Sequence, residues 1–264
     1  KFFRYLGYSP HSGQGSYHDS RARFRVLACG RRWGKTEAAG WEAVASAMRP
    51  GRVVWIVAPT YKLSEKIFRR AYWILMKKLR PLVSQASEHG LYMKLVNGTV
   101  IEGKSADNPV GLLGEGVDEL FIDECSLVDR GVWEEALRPT LADKKGKASF
   151  IGTPKGKNWF WELFVRGKNE KAVYESWQFP TADNPIIDPK EVDSARESLP
   201  DMKFRQEFLA EFVELHDTFF PMNLITKCVD KDLKRIQRVS PTEVFYAGVD
   251  LARLGEDSTV IITV

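Results

Sequence analysis

The sequence predicts an α/β fold with a mainly parallel central sheet flanked by helices. Three observations predict it. Apolar, β-prone runs alternate with helix-like runs, as they do when crossover helices join parallel strands. Several of the apolar runs end in residues suited to phosphate chemistry. Finally, 264 residues that are 44% hydrophobic and 28% charged can build one large or two modest domains with a substantial core.

The elements follow in order. "RFRVLAC" (23–29) reads as a strand, and "TEAAGWEAVASAM" (36–48) as an alanine-rich helix stopped by Pro50-Gly51. "RVVWIVAP" (52–59) is a buried strand. "KLSEKIFRRAYWILMKKL" (62–79) places Leu63, Ile67, Ala71 and Ile74 on one helical face, with basic residues opposite. In "LYMKLVNGTVIEG" (91–103), Asn97-Gly98 between two β-prone runs predicts an antiparallel hairpin. "DELFID" (118–123) and "KASFIGTP" (147–154) are two more central strands, with a helix around Val132 to Leu141 between them, and "AVYESWQF" (172–179) adds another. "TADNPIIDP" (181–189) reads as a linker. The stretch 189–215 is expected to be mostly helical, a small appendage with Phe204, Phe208, Leu209 and Phe212 on its apolar face. "VFYAGVDLARLGEDSTVIITV" (244–264) opens as a strand, turns and returns. A two-stranded hairpin is not a stable domain by itself, so this pair is expected to begin a second domain.

Composition excludes several classes. The longest apolar runs fall far short of the roughly 20 residues a membrane-spanning helix needs, and no secretory signal is expected. Cys29, Cys125 and Cys228 have neither an even count nor C-x-x-C spacing, which argues against a disulfide framework or zinc site and for a reducing, cytoplasmic setting. Net charge is +4, but residues 1–36 carry eight Lys or Arg against one acid, a local +7 that leaves −3 for the remainder. Further basic clusters at Lys62 to Arg80 and Lys144 to Lys171 are compatible with a polyanion partner; taken singly, each also fits a solvated face.

The chemistry lies at three strand ends. "CGRRWGKT" (29–36) matches the phosphate loop G-x-x-x-x-G-K-[ST] except that Cys29 stands where the first glycine belongs, with Gly30 one step later. Gly34 lets the backbone approach phosphate, Lys35 reaches β and γ oxygens, and the Thr36 hydroxyl suits Mg²⁺, all at a positive helix N-terminus. "DELFIDEC" delivers Asp123, a candidate Mg²⁺ ligand, and Glu124, a candidate base for an attacking water. "FIGTPKGKN" ends in Gly152-Thr153-Pro154, whose hydroxyl could contact that water or the γ-phosphate. Lysine, hydroxyl, metal carboxylate and glutamate form a minimal phosphoryl-transfer set, although each motif alone also fits an ordinary strand-to-loop turn.

In order along the chain, "SPHSGQGSYHDS" with Gln14, "CGRRWGKT", "WIVAPTY", "GKSADN", "LFIDEC", "IGTPKG" and "FRQEFLAEFV" resemble, from about Tyr8 to Val213, the ATPase half of the large terminase subunit, the DNA-packaging motor of tailed bacteriophages. The family commonly lacks the first loop glycine and has basic residues before Gly34. The resemblance implies a P-loop NTPase core at 1–180, a helical lid subdomain at 181–220, a linker at 221–240 and, from 241, the first hairpin of an RNase H-like nuclease domain. It also implies Gln14 as the adenine reader and a nucleotide-binding loop of Gly30, Arg31, Arg32, Trp33, Gly34, Lys35 and Thr36. Arg31 would stand near the γ-phosphate and Thr153 in the coupling motif, with Arg205, Gln206 and Glu207 in the lid; a packed amphipathic helix explains that trio as well. Glu124, Lys35 and Arg31 carry catalysis on this reading, with ATP as substrate and Mg²⁺ held by Thr36 and Asp123. Asp250 takes the first nuclease metal position and Asp257 is a further candidate; two-metal cleavage needs more carboxylates, so DNA cutting is not expected. Relatives often carry an arginine where this chain has Leu113, which leaves the finger open between Arg31, another basic residue, or a weak ATPase. Implied partners are double-stranded DNA, the portal protein, the small terminase subunit and other copies in a ring on the procapsid, with a monomer expected in isolation, all in the cytoplasm of an infected bacterium. A helicase-like or DNA-repair ATPase and a non-enzymatic nucleotide-binding module remain as other readings.

Overall fold

Phe24–Cys29 are buried at every position and form β1, one strand in from an edge of an eight-stranded sheet. A strand covered on both faces reads as a continuous apolar run, and β1 does. In the computed structural model, residues 2–170 and 172–213 are described, together with the backbone of 247–250 and 260–263. The chain divides into two compact units, Lys1–Leu215 and His216–Val264.

In the first unit, α1 (Phe2–Tyr5) and α2 (Ser12–Asp19) precede β1. Then come α3 (Lys35–Ala47), β2 (Val53–Ala58), α4 (Tyr61–Lys78), β3 (Val83–Ser87), β4 (Tyr92–Leu95), β5 (Val100–Ser105), β6 (Glu119–Ile122), α5 (Arg138–Thr140), β7 (Lys147–Gly152), α6 (Trp159–Asn169) and β8 (Tyr174–Phe179). α7 (Pro189–Ser198) and α8 (Asp201–Glu207) close the unit. The strand order is β3-β4-β5-β2-β6-β7-β1-β8. From β5 to β8 every pairing is parallel, and β4 runs antiparallel between β3 and β5. The α/β expectation therefore stands, including the Asn97-Gly98 hairpin, where Gly98 takes φ 84°.

Alternation along the strands splits the core by sheet face. Leu27, Ile56, Phe121 and Ile151 join Trp41, Val44, Ile67 and Leu75 of α3 and α4. On the other face Val26, Val57, Ile122 and Phe150 meet Trp133, Leu137 and Phe160.

Three expectations change. The helix from Val132 to Leu141 is a π-helix over Val132–Leu137 followed by the short α5: Arg138 N–H reaches back five residues to Trp133 O, and Pro139 has no N–H to donate. The helical stretch 189–215 is two helices that stop at Glu207. Leu199-Pro200 separates them and Ala210 is left-handed at φ 56°. Its aromatic face divides too, because Phe204 stacks on Phe208 while Phe212 packs on Phe160 and Phe164 of α6. Finally, β3 is an exposed edge strand that sequence patterning does not reveal.

The second unit contains an antiparallel pair, β9 (Ala247–Asp250) and β10 (Val260–Thr263), in which Asp250 opposes Val260. Asp250 is the last residue of β9; Asp257, Cys228 and the expected linker at 221–240 lie outside the described residues. Among the described residues no helix is long and apolar enough to cross a membrane.

Candidate active site

Parallel strands bring their carboxyl ends to one edge of a sheet, where ligands of α/β proteins bind. Here β6, β7 and β1 are neighbours, so Asp123-Glu124, Thr153 and the loop 30–34 emerge side by side. They border a cleft of about 1060 Å³ lined by Arg31, Arg32, Gly34, Lys35, Thr36 and Glu37 from the loop and α3. Leu63 and Lys66 of α4, Glu124, Leu127, Thr153, Lys155, Glu207 and Phe208 complete the wall.

Lys35 Nζ donates to Cys29 O at 3.1 Å, Gly30 O at 3.0 Å and Thr153 Oγ1 at 3.1 Å. Those three acceptors are neutral and match the three N–H bonds of an ammonium. An incoming phosphate oxygen can exchange with one of them and adds charge to the bond. Thr153 Oγ1 itself donates to Cys29 O at 3.0 Å, and Ser126 Oγ donates to Thr153 O at 2.8 Å, so one residue touches both flanking strand ends. Cys29 is fully buried, and burial pushes its thiol well above the ordinary range, so it packs as an apolar group.

Gly34 sits at φ 106°, a conformation that strains any residue with a Cβ, and a Cβ there would also displace Gln14 Nε2, 2.7 Å away. Gln14 is buried; its amide donates to Gly34 O at 3.2 Å and accepts from His11 N–H at 3.3 Å. The residue expected to read adenine thus braces the loop from behind and does not line the cleft. Gly30 does not line it either: a Cβ would lie 2.6 Å from Phe208 O and Thr181 Oγ1, so this glycine admits the neighbouring backbone. Trp33 is fully buried and stacks on Phe179 with centroids 4.9 Å apart.

Asp123 is 4% exposed, just beneath the cleft. Burial first, and the adjoining Glu124 carboxylate second, push its carboxyl up to about 7. It makes no salt bridge with a described residue, so a buried carboxylate stands ready for a cation. Among the described residues no three His, Cys, Asp or Glu side chains gather as a metal cage. Asp123 and the Thr36 hydroxyl still fit Mg²⁺, which in nucleotide sites takes one or two protein oxygens and completes its shell with phosphate and water. Glu124 is partly exposed in the left-handed region at φ 46°, ψ 43°. That conformation is costly for a residue with a Cβ and is met most often at functional sites.

One feature of the wall escaped sequence reasoning. Glu207 at the end of α8 pairs with Lys155 of the β7–α6 loop and, at 2.5 Å, with Arg31 of the phosphate loop. Its carboxyl is held down to about 2: burial raises it, but the bonds from Lys155 and Arg31 outweigh burial. Proximity to Thr153 in "GTPKG" was the available signal for Lys155. Arg205, named with Glu207 in the lid segment, pairs with Glu211 and Asp201. Leu113 is exposed on a short 3₁₀ turn's end and does not line the cleft.

A sequence profile described as terminase large subunit, T4likevirus-type, N-terminal matches residues 26–227. The large terminase subunit of Thermus phage G20c is 36% identical over 255 residues, covering 83% of this chain and 52% of that protein. That of Escherichia phage T5 is 29% identical over 256 residues, covering 93% and 57%. The chain spans about half the length of the curated relatives it matches. Among solved structures, the Thermus phage P74-26 large terminase ATPase domain superposes with a TM-score of 0.70 at 35% identity, covering 80% of this chain and 97% of that one. The large terminase of a thermophilic bacteriophage, in complex with ADP, gives 0.63 at 17% identity over 77% of this chain and 54% of that one, a likeness of fold alone.

Proposed function

The chain belongs to the terminase large subunit family, and on that premise we propose that its cleft binds and hydrolyses ATP to drive DNA packaging. The observation that carries the reading is the convergence of Lys35, Thr36, Glu124 and Thr153 on a single cleft. Lys35 and the loop N–H groups hold the phosphates at the start of α3. Mg²⁺, held by Thr36 and Asp123, would neutralise phosphate charge when bound. Glu124 orients a water and takes its proton as the water oxygen bonds to the γ-phosphorus. The bridging β–γ oxygen leaves with ADP, and inorganic phosphate is released. Arg31 is the cation nearest to hand for the developing charge once it leaves Glu207. Thr153, joined to both flanking strand ends, passes the change on.

The remaining parts of the reading rest on family membership and the sequence motifs. The ATPase core occupies 1–180, the helical lid 181–220, the linker 221–240, and the start of a nuclease domain 241–264, with Asp250 at its first metal position. Double-stranded DNA is the translocated substrate, and portal, small subunit and further copies of the chain are the partners, in the infected cell's cytoplasm. A helicase-like ATPase would share the cleft; the match of the profile through residue 227 favours the packaging motor. The test is phosphate release and nucleotide binding by two variants. Glu124→Gln is expected to bind ATP and release at least 10²-fold less phosphate per unit time, as loss of a general base dictates. Lys35→Ala is expected to lose both. Full turnover by Glu124→Gln removes the assigned base, and unaltered binding by Lys35→Ala removes the site.

A further inference from the structure

Every cation of the cleft is accounted for by a neighbour except two. Arg31 and Lys155 share Glu207, and Lys35 is held by two carbonyls and a hydroxyl. Lys66 and Arg32 form no ion pair or side-chain hydrogen bond among the described residues, although both line the cleft. Arg32, with Phe208, also borders a second hollow formed with Ile186, Ile187, Val192 and Ala195 of the α7 segment. Lys66 sits with Leu63 one helical turn earlier on α4, the helix that follows β2, and β2 is the partner of β6. It shares the cleft wall with Thr36 and Glu124. The two arginines of α4 are engaged elsewhere: Arg69 with Glu65 and Glu88, and Arg70 with Glu37.

We propose that Lys66 is a phosphate-binding residue that contacts the terminal phosphate of a bound nucleoside triphosphate, from α4. The inference rests on the ATPase reading above. A triphosphate held by the loop, with its last phosphate beside Thr36 and Glu124, meets Lys66 in the same cleft wall. The ammonium there meets an anion without first breaking a salt bridge. A diphosphate leaves that position unfilled, so Lys66 distinguishes ATP from ADP.

The experiment measures ATP and ADP dissociation constants of the whole chain with Mg²⁺, in a Glu124→Gln background that prevents turnover. Adding Lys66→Ala is expected to weaken ATP by about 10- to 100-fold, the range for one charge-assisted hydrogen bond, and ADP by less than threefold. Lys66→Arg, which keeps the charge, is expected to restore most of the ATP affinity. Equal weakening of ATP and ADP, or no weakening of ATP, overturns the assignment. Lys66 is exposed, so the folded state is expected to survive, checked by thermal melting of the same samples. Failure of the Glu124→Gln chain itself to bind either nucleotide sinks the ATPase reading and Lys66 with it. Good binding without discrimination sinks Lys66 alone.

Discussion

Asp123, when ionised, carries a burial cost that protonation or a bound cation removes. Its folded carboxyl titrates at about 7 against 3.8 for an ordinary aspartate, so the fold favours the protonated form. Stability from this group is complete below pH 3.8 and is lost as pH rises toward 7, because the unfolded chain ionises first. The loss is on the order of 4 kcal/mol for a shift of that size. Without divalent cation or nucleotide, Asp123→Asn is therefore expected to gain stability over the parent as pH rises from 4 to 7. Denaturant melts across that window check it, and a pH-independent difference refutes the buried-carboxylate account. The places of Lys35, Thr36, Glu124 and Thr153 beside the cleft were legible in the sequence, because Glu124 and Thr153 close apolar runs at strand ends and Lys35-Thr36 follow β1 across a short glycine-bounded loop. The contacts of Gln14, Gly30 and Glu207 were not. Gln14 is set by Gly34, 20 positions on, and Glu207 by Arg31, 176 positions away, separations that no local pattern encodes.

Elements are tied together behind the cleft by a buried charge cluster. Arg25 on β1, 2% exposed, donates to Glu42 of α3 and Glu119 of β6, both at 2.7 Å, with its guanidinium 4.7 Å from the centroid of the Tyr17 ring. His18 of α2 reaches the same Glu42 at 2.6 Å, and Arg52 approaches Glu119 at 3.5 Å. Removing one partner strands the others without water. Arg25→Ala is expected to cost about 3–5 kcal/mol, measured by urea unfolding, whereas a loss below 1 kcal/mol would show that the carboxylates find other partners. Sequence reading placed the central strands and α3, α4 and the hairpin well, since period-2 and period-3.6 patterns are local. It did not find β3, whose residues are mostly exposed, nor the end of α8, which Phe204–Phe208 stacking and the left-handed Ala210 decide.

For the molecule as a whole, the cleft draws on β1, β6 and β7, on α3 and α4, and on the end of α8. A ligand that touches all of these binds the native state and not the unfolded chain, so it raises stability by mass action. Mg²⁺ with a slowly hydrolysed ATP analogue at a hundred times its dissociation constant is expected to add about 2.7 kcal/mol. Differential scanning calorimetry reads it as a higher Tm, and the same shift in Lys35→Ala would place the nucleotide elsewhere. Behind the phosphate loop, Gly30 N–H donates to Phe179 O at 2.9 Å, Arg31 N–H to Glu207 O at 2.7 Å, and Thr181 N–H to Phe208 O at 2.7 Å. Main-chain joints of this kind are blind to the side chains they connect. Drift among residues other than proline at 31, 179, 207 or 208 leaves the weld intact, while a single methyl group at Gly30 pries it open, so the seam is most fragile at the one residue that has nothing to lose but a hydrogen.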